Sequence, residues 1–514
     1  MKTNAKRFLA LLLAGMLLLC LVACGDSKSE GATSGSTNSN GTVSGTTSGT
    51  EEDPEAMYKD ENGNYIPTVG VLEEFKGRKF TILVIGEGGG TYQSDDFTTV
   101  AGSGGINYGD TFYGEVQARN DKIEEMYGVT LDVRKEDGAQ GKAEQDALGG
   151  TMEYDAVLLS VGSMIALAQD TLLYDLRSEE FNGYFDEKAP WWAESANEAY
   201  SIDGRLYFTT GDITIMNKAN IWSMLFNKQM VIDYGLEDPY KLVEDGTWTF
   251  DKMVEMAKNV STATATSDWK DETVTWGMIT AYGDAYQFYG GSGMRVCEKD
   301  PQDVPVLSFG GEASITIAEK ILTTMGTSTW RLYAEICEGG PKNNKWEDSF
   351  DIFNTGRALF RPSGFTAVTK ARSRAEMAFG ILPMPKMSDT QDGYYTVTSG
   401  SWAAGILKNC EDPQFSAYML DAYAAGAKNY ITPAYVEVNL LGKSLRDDES
   451  EKILYDIFDN IIYDIGAAYD FGGITTMFKT QATNGTADIA SAFAAIETQI
   501  QDAIDDVRDA FLQG

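Results

Sequence analysis

Any chemistry in this chain has to come from carboxylates, amines, hydroxyls, thiols and aromatic rings, because its 514 residues include no histidine. That removes Ser-His-Asp and Cys-His catalysis, histidine metal ligation and a histidine pH switch. Paired-carboxylate and Ser-Lys chemistry stay open, but a carboxylate pair is a spatial property that no local motif here displays. Beyond residue 24 there are three cysteines, Cys297, Cys337 and Cys410, with no CxxC or metal-ligand spacing. A Cys297–Cys337 bridge and buried free thiols are both open. Two further motifs fall short. Gly86-Glu87-Gly88-Gly89-Gly90-Thr91 follows a predicted strand, but GxGxxG needs glycine where Thr91 stands. Asp60-Glu61-Asn62-Gly63-Asn64-Tyr65 begins like a calcium loop, yet its sixth and twelfth positions are Tyr65 and Val71. A plain Asn-Gly turn is the reading there. No metal and no cofactor is expected.

Leu21-Val22-Ala23-Cys24 is the exception to this chemical silence. It follows Lys2, Lys6 and Arg7 and an uncharged apolar run from Phe8 to Val22. Basic, then apolar, then small residues is the order of a secretory signal. The run is short for a spanning helix, which needs about 20 residues. A cysteine just after the small pair, with Gly25 behind it, resembles the lipobox of bacterial lipoproteins. The resemblance implies that Cys24 takes diacylglycerol on its sulfur and becomes the mature N-terminus. An ordinary signal peptide with a chance cysteine is the alternative. From Gly25 to Thr50, 19 of 26 residues are Gly, Ser or Thr and none is aromatic, so the segment cannot bury enough apolar surface to fold. As a coil it spans roughly 25–30 Å, enough to stand a globular body off a membrane.

The 491 residues from Cys24 onward are too many for one small core, and two or three domain-sized units are expected. Losing the first 23 residues removes three positive charges and no negative one, which takes the formal charge from −36 to −39. Phosphate recognition needs a positive patch, so nucleic acid is not an expected partner.

Alternating strands and helices must position whatever site exists. Phe80-Thr81-Ile82-Leu83-Val84-Ile85 is a short apolar run suited to a buried parallel strand. Glu115–Tyr127 reads as a helix, Val129-Leu131-Val133 alternates as a strand, and Tyr154–Leu159 is a second buried strand. This order implies an α/β sheet with right-handed crossovers. Asp412-Pro413 reads as an N-cap with proline at N1, and Gly426 is expected to end that helix. Ile489, Phe493, Ile496, Ile500, Ile504 and Val507 form one stripe of a last helix.

Scattered motifs then carry a family resemblance over nearly all of residues 77–514. They are Tyr154-Asp155-Ala156-Val157, Leu172-Leu173-Tyr174-Asp175-Leu176, Pro190-Trp191-Trp192 and Asp203-Gly204-Arg205-Leu206-Tyr207. Further on come Phe226-Asn227-Lys228 with Gly246-Thr247-Trp248-Thr249-Phe250, then Phe353-Asn354-Thr355-Gly356-Arg357-Ala358 and Phe379-Gly380-Ile381-Leu382-Pro383-Met384-Pro385. In this order they resemble the extracellular solute-binding proteins of carbohydrate ABC importers, family 1. The resemblance implies an α/β, two-lobed periplasmic-binding-protein-like fold of type II, with an interlobe cleft and a multi-strand hinge. Motif by motif, it places chain crossings near Tyr207–Ile215, Thr396–Gly400 and Val436–Lys443. It implies a signal peptide over 1–23 and a lipidated Cys24, tether and lead-in over 24–76. The N-lobe would be 77–209 plus 399–436, and the C-lobe 213–395 plus 440–514.

The implied function is capture of a sugar or oligosaccharide between the lobes, without catalysis, and delivery to permease subunits. Sugars offer apolar ring faces and a rim of hydroxyls, which suits aromatic rings with carboxylates, amides and Arg. The residues expected at the cleft are Glu87, Tyr92, Asp212, Trp222, Tyr282, Phe365 and Trp402, with Tyr286 and Tyr289 beside Tyr282. Phe365, after Arg361-Pro362-Ser363-Gly364, matches a stacking position that is usually Trp in maltose-binding relatives. The implied setting is a monomer, lipid-anchored on the extracellular face of a Gram-positive membrane. A lipid-anchored glycosidase using two carboxylates and a glycan-binding adhesin are the alternatives.

Overall fold

The computed structural model describes residues 53–513, apart from residues 327, 399–401 and 446. The signal segment, the lipidation candidate Cys24, the Gly/Ser/Thr tether and the far end of the Thr396–Gly400 crossing lie outside the described residues. Residues 54–76, in the expected lead-in, pack onto the body. Tyr58 meets Trp191 edge-on at 5.6 Å, and Phe75 packs between Phe415 and Tyr418. Asn429 brackets Tyr65, accepting from its N–H and donating to its carbonyl, each at 2.9 Å. Rings spaced along this stretch supply the apolar area that the tether lacks. Asp60 Oδ1 accepts from the amides of Asn62 and Asn64, and Gly63 takes a φ of +82°, so the segment is the expected Asn-Gly turn.

The first strands are β1 (Lys79–Ile85), β2 (Thr130–Glu136), β3 (Ala156–Ser160), β4 (Trp222–Asn227), β5 (Trp276–Thr280), β6 (Cys297–Lys299) and β7 (Pro305–Leu307). They are followed by β8 (Arg331–Tyr333), β9 (Ala358–Gly364), β10 (Phe379–Leu382), β11 (Thr396–Thr398), β12 (Trp402–Gly405) and β13 (Ile461–Tyr463). The helices that bear on the site are α1 (Asp110–Tyr127), α2 (Ala139–Gly149), α3 (Asp284–Gly290) and α4 (Lys345–Asn354). After these come α5 (Phe365–Arg374), α6 (Pro413–Pro433), α7 (Ile474–Asn484) and α8 (Ile489–Gln513).

Two sheets organise the chain. One has the order β12-β3-β1-β2, with β1 parallel to both β2 and β3 and β12 antiparallel at the edge. Phe80, Ile82, Leu83 and Val84 are buried in it, as an uninterrupted apolar run requires of a strand covered on both faces. The other has the order β10-β4-β9-β5-β8. There β4 runs antiparallel to β9, in a register that sets Trp222 opposite Gly364. The start of β4 therefore falls beside the carboxyl end of β9. A separate parallel pair joins β11 with β13, with Thr396 facing Ile461. The architecture is α/β and two-lobed.

Asp412 caps α6, its carboxylate accepting from the Phe415 amide at 3.1 Å. The helix does not stop at Gly426 but runs on to Pro433. A Cβ on Gly426 would sit 3.0 Å from Ile123 Cδ1 and 3.3 Å from Arg119 Cγ on α1. The glycine thus permits close helix packing rather than ending the helix. The apolar stripe of α8 is buried at Ile489, Phe493, Ile500, Ile504 and Val507, while Ile496 is half-exposed. Cys297, Cys337 and Cys410 are buried free thiols. No described helix is long and apolar enough to cross a membrane.

Candidate functional site

Open sheets of this kind offer ligands the carboxyl ends of their strands. A cavity of about 650 Å³ opens there, where β5, β8 and β9 end and α3, α4 and α5 begin. The first sheet contributes little to it: among the described residues, only Thr91 and Tyr92, on the loop after β1, reach the cavity from that side. The rest of the lining comes from the second sheet, its following helices and the first turns of α7.

Trp222, Tyr92, Trp346 and Phe350 supply ring surface. Tyr92 is 39% exposed and Trp346 47%, unusual for rings of that size and open to a ligand face. The Trp222 indole donates to Asp284 Oδ1 at 3.1 Å. Asp284 Oδ2 accepts from the Thr280 hydroxyl at 2.8 Å and the Ala281 amide at 2.7 Å. Burial nevertheless dominates and pushes this carboxyl up to about 6.

Arg361, on β9, is only 8% exposed and makes no ion pair among the described residues. Its Nη1 and Nη2 make long bonds, both 3.4 Å, to the Ser349 carbonyl and hydroxyl. Its Nε has no partner among the described residues. Burial lowers it to about 10, so it is still charged at neutral pH. Gln287 Oε1 and Glu335 Oε2 are likewise buried without partners, while Glu335 Oε1 accepts from the Tyr282 amide at 3.0 Å. One orphaned buried polar atom costs about 1–3 kcal/mol. Three in residues that line one cavity, a donor and two acceptors, suit a ligand whose groups both donate and accept.

Lys370, on α5, donates to Thr91 Oγ1 at 2.8 Å and to Glu347 at 3.1 Å. Glu347 also accepts from Arg374. Burial works against ionisation of Glu347, but these two cations prevail and hold it below its ordinary value.

Of the residues expected at the cleft, Tyr92 and Trp222 line this cavity, and so does Tyr286. The others lie elsewhere, each for a physical reason. Glu87 is exposed and turned away, its Oε1 accepting from the Ser103 amide at 3.3 Å. Asp212 is buried, and Lys218 at 2.6 Å, Lys428 at 3.5 Å and Thr432 at 2.9 Å claim both its oxygens. Burial would raise its pKa, but the two lysines outweigh it and the net shift is downward. Tyr282 packs on Tyr333, with ring centroids 4.2 Å apart, while its neighbours Ala281 and Gly283 face the cavity. Tyr289 is buried beside Phe309 and Phe478. Phe365 is wholly buried against Phe458 at 5.5 Å, so its ring belongs to the core behind α5. Trp402 lies next to Tyr92, centroids 6.0 Å apart, and supports that ring without lining the cavity.

Sequence reasoning overlooked Asp284, Glu335, Trp346, Arg361 and Lys370. A signal existed for Trp346. It sits in the polar run Asn343-Asn344-Lys345-Trp346-Glu347, and Asn344 is an N-cap type whose Oδ1 accepts from the Trp346 amide at 3.0 Å and the Glu347 amide at 3.4 Å. A tryptophan in the polar first turn of a capped helix has little core to enter.

No family model matches the chain, and no curated protein does. Solved structures do. The ABC substrate-binding protein Lmo0181 of Listeria monocytogenes, in complex with cycloalternan, superposes with a TM-score of 0.51 at 13% identity, covering 84% of this chain and 98% of its own. A cyclo/maltodextrin-binding protein complexed with maltotetraose gives 0.53 at 12% identity, over 84% and 96%. UspC of M. tuberculosis gives 0.50 at 13%, over 84% and 100%. At such identities the likeness establishes the type II two-lobed fold.

Proposed function

We propose that the protein is the substrate-binding component of an ABC importer, taking up a sugar or oligosaccharide without altering it. The observation that carries this reading is the cavity itself: it is lined by the exposed rings of Tyr92 and Trp346 and by Arg361, Gln287 and Glu335, each of which carries a buried polar atom without a partner among the described residues. Ring faces plus planar donors and acceptors are the groups a carbohydrate matches. The lobes are proposed as 77–209 plus 399–436 and 213–395 plus 440–514. In support, β1, β2, β3 and β12 fall in the first set and β4, β5, β8, β9 and β10 in the second. The sugar-binding proteins of the same fold, solved with cycloalternan and maltotetraose, add support for the ligand class.

Hydrolysis has little to work with here. Asp284 is held by three donors and Glu347 by two cations, so only Glu335 keeps a free carboxylate oxygen among these three. Glycoside hydrolysis requires two carboxyl groups in distinct roles.

Cys24 is proposed as the lipid anchor, the Gly/Ser/Thr segment as the tether and permease subunits as the partner, with the body a monomer outside a Gram-positive membrane. Mass spectrometry of the membrane-extracted N-terminus tests the anchor, and an unmodified N-terminus elsewhere would overturn it. A thermal-shift screen over a sugar library tests the ligand class, since a ligand that binds only the native state raises stability by RT ln(1 + [L]/Kd). Release of reducing sugar from any binder would replace the importer with the enzyme.

A further inference from the structure

Trp346 is an exposed tryptophan of the site, and it lines two cavities. On one side is the 650 Å³ cavity. On the other is an open depression of about 390 Å³, lined by Glu338, Gly339, Asn343, Asn344, Lys345 and Trp346. Trp346 and Asn344 belong to both linings. The indole is not held by the core. Its backbone is pinned instead: the Asn344 side chain accepts from the Trp346 amide and fixes where the ring emerges. The depression is polar. Lys345 pairs with Glu338 at 3.4 Å and stands 5.9 Å from the centre of the Trp346 ring. Asn343 is exposed beside them, with a φ of +50°.

An aromatic ring with an amide and a charged pair next to it has the chemistry of a further small carbohydrate platform, and it shares Trp346 and Asn344 with the main cavity. The main cavity alone is within the roughly 300–1,000 Å³ range that encloses a ligand of several rings. Resting on the carbohydrate reading above, we infer that the ligand is a linear oligosaccharide whose chain leaves the main cavity over the Trp346 indole and lays a further ring in the adjoining depression. A monosaccharide would leave Trp346 half uncovered and the depression unused. A closed compact ligand would do the same.

The test is calorimetric titration of the whole protein with matched series of malto-, xylo- and manno-oligosaccharides, each from the disaccharide to the hexasaccharide. In the series that binds, the longer members should bind more tightly by about two- to tenfold, the worth of one stacking contact. Trp346→Ala should shrink that long-to-short ratio toward one. Asn343→Gly removes the amide while suiting the left-handed turn, and should weaken the long members without changing the disaccharide. Equal affinity at all lengths, or loss by the same factor at every length in both variants, would overturn the inference and leave the carbohydrate reading intact. Binding of no glycan in the panel would overturn both.

Discussion

Lys370 Nζ lies 2.8 Å from Thr91 Oγ1, and this bond ties α5 to the loop after β1 across the mouth of the cavity. The same ammonium is 3.1 Å from Glu347, so its charge is anchored on its own side. The contact therefore joins the two sides of the cavity without stranding a charge when it breaks.

Thr91→Val keeps the shape and removes the acceptor. A hydrogen bond of this sort contributes about 0.5–1.5 kcal/mol net, and Lys370 is partly exposed, so the lower part of that range applies. Because the bond is made without a ligand, denaturant unfolding of the unliganded variant should show a loss of about 0.5–1 kcal/mol. An unchanged unfolding free energy would mean that the bond contributes nothing net to holding the two sides together.

Phe365→Ala separates core from cleft. The ring is wholly buried against Phe458, and the Phe365 amide donates to the Ile221 carbonyl at 3.2 Å. Truncating a buried Phe costs about 3–5 kcal/mol. Denaturant unfolding should show that loss, while a sugar found to bind the parent in the thermal-shift screen should bind the folded variant within severalfold of it. Intact stability with lost binding would return Phe365 to the cleft.

The contrast between Phe365 and Phe80 indicates what local sequence conveys. Phe80 sits in an apolar run whose length and flanking glycine specify a buried strand, and β1 begins one residue before it. The role of Phe365 came from a matched position in distant relatives, and no periodicity around it distinguishes a ring facing α5's core side from one facing a ligand. Gly426 shows a third limit. Glycine ends helices when the chain needs a left-handed turn, but here it serves a contact with Ile123, more than 300 residues away in sequence. The carboxylates and Arg361 were illegible for the same reason: their surroundings are assembled from β5, β8, β9 and α3, which no window of sequence contains.

Asp284 should leave a signature in the pH dependence of stability. Its folded value is about 6 against 3.8, because burial outweighs the bonds from Ala281, Thr280 and Trp222. Between those values the native state holds a proton that the unfolded chain has released. Stability from this group is therefore present below about pH 4 and declines as pH rises to about 6. The full swing is on the order of 3 kcal/mol. Asp284→Asn cannot titrate. The stability of the variant relative to the parent should rise through that window and then level off. A difference that is flat from pH 4 to 7 would show that Asp284 ionises normally and is more hydrated than its surroundings indicate.

Gly426→Ala sets helix propensity against packing. In an open helix the change would stabilise by about 1 kcal/mol. Here the new methyl would meet Ile123 Cδ1 at 3.0 Å and Arg119 Cγ at 3.3 Å. Ile123 ends in a flexible methyl and can yield. Arg119 cannot do so cheaply: its Nη2 donates to the Tyr423 hydroxyl at 2.8 Å, and its guanidinium lies 4.3 Å from the centre of that ring and 5.3 Å from Phe97's. Moving it would disturb a buried cation held by aromatic faces. Overpacking of this kind costs about 1–3 kcal/mol, which exceeds the propensity gain. Gly426→Ala should therefore lower stability by up to about 2 kcal/mol in denaturant unfolding, and Gly426→Val should lower it further. Stabilisation by the alanine would mean that α1 and α6 can separate without loss, and that the glycine is tolerated there rather than required.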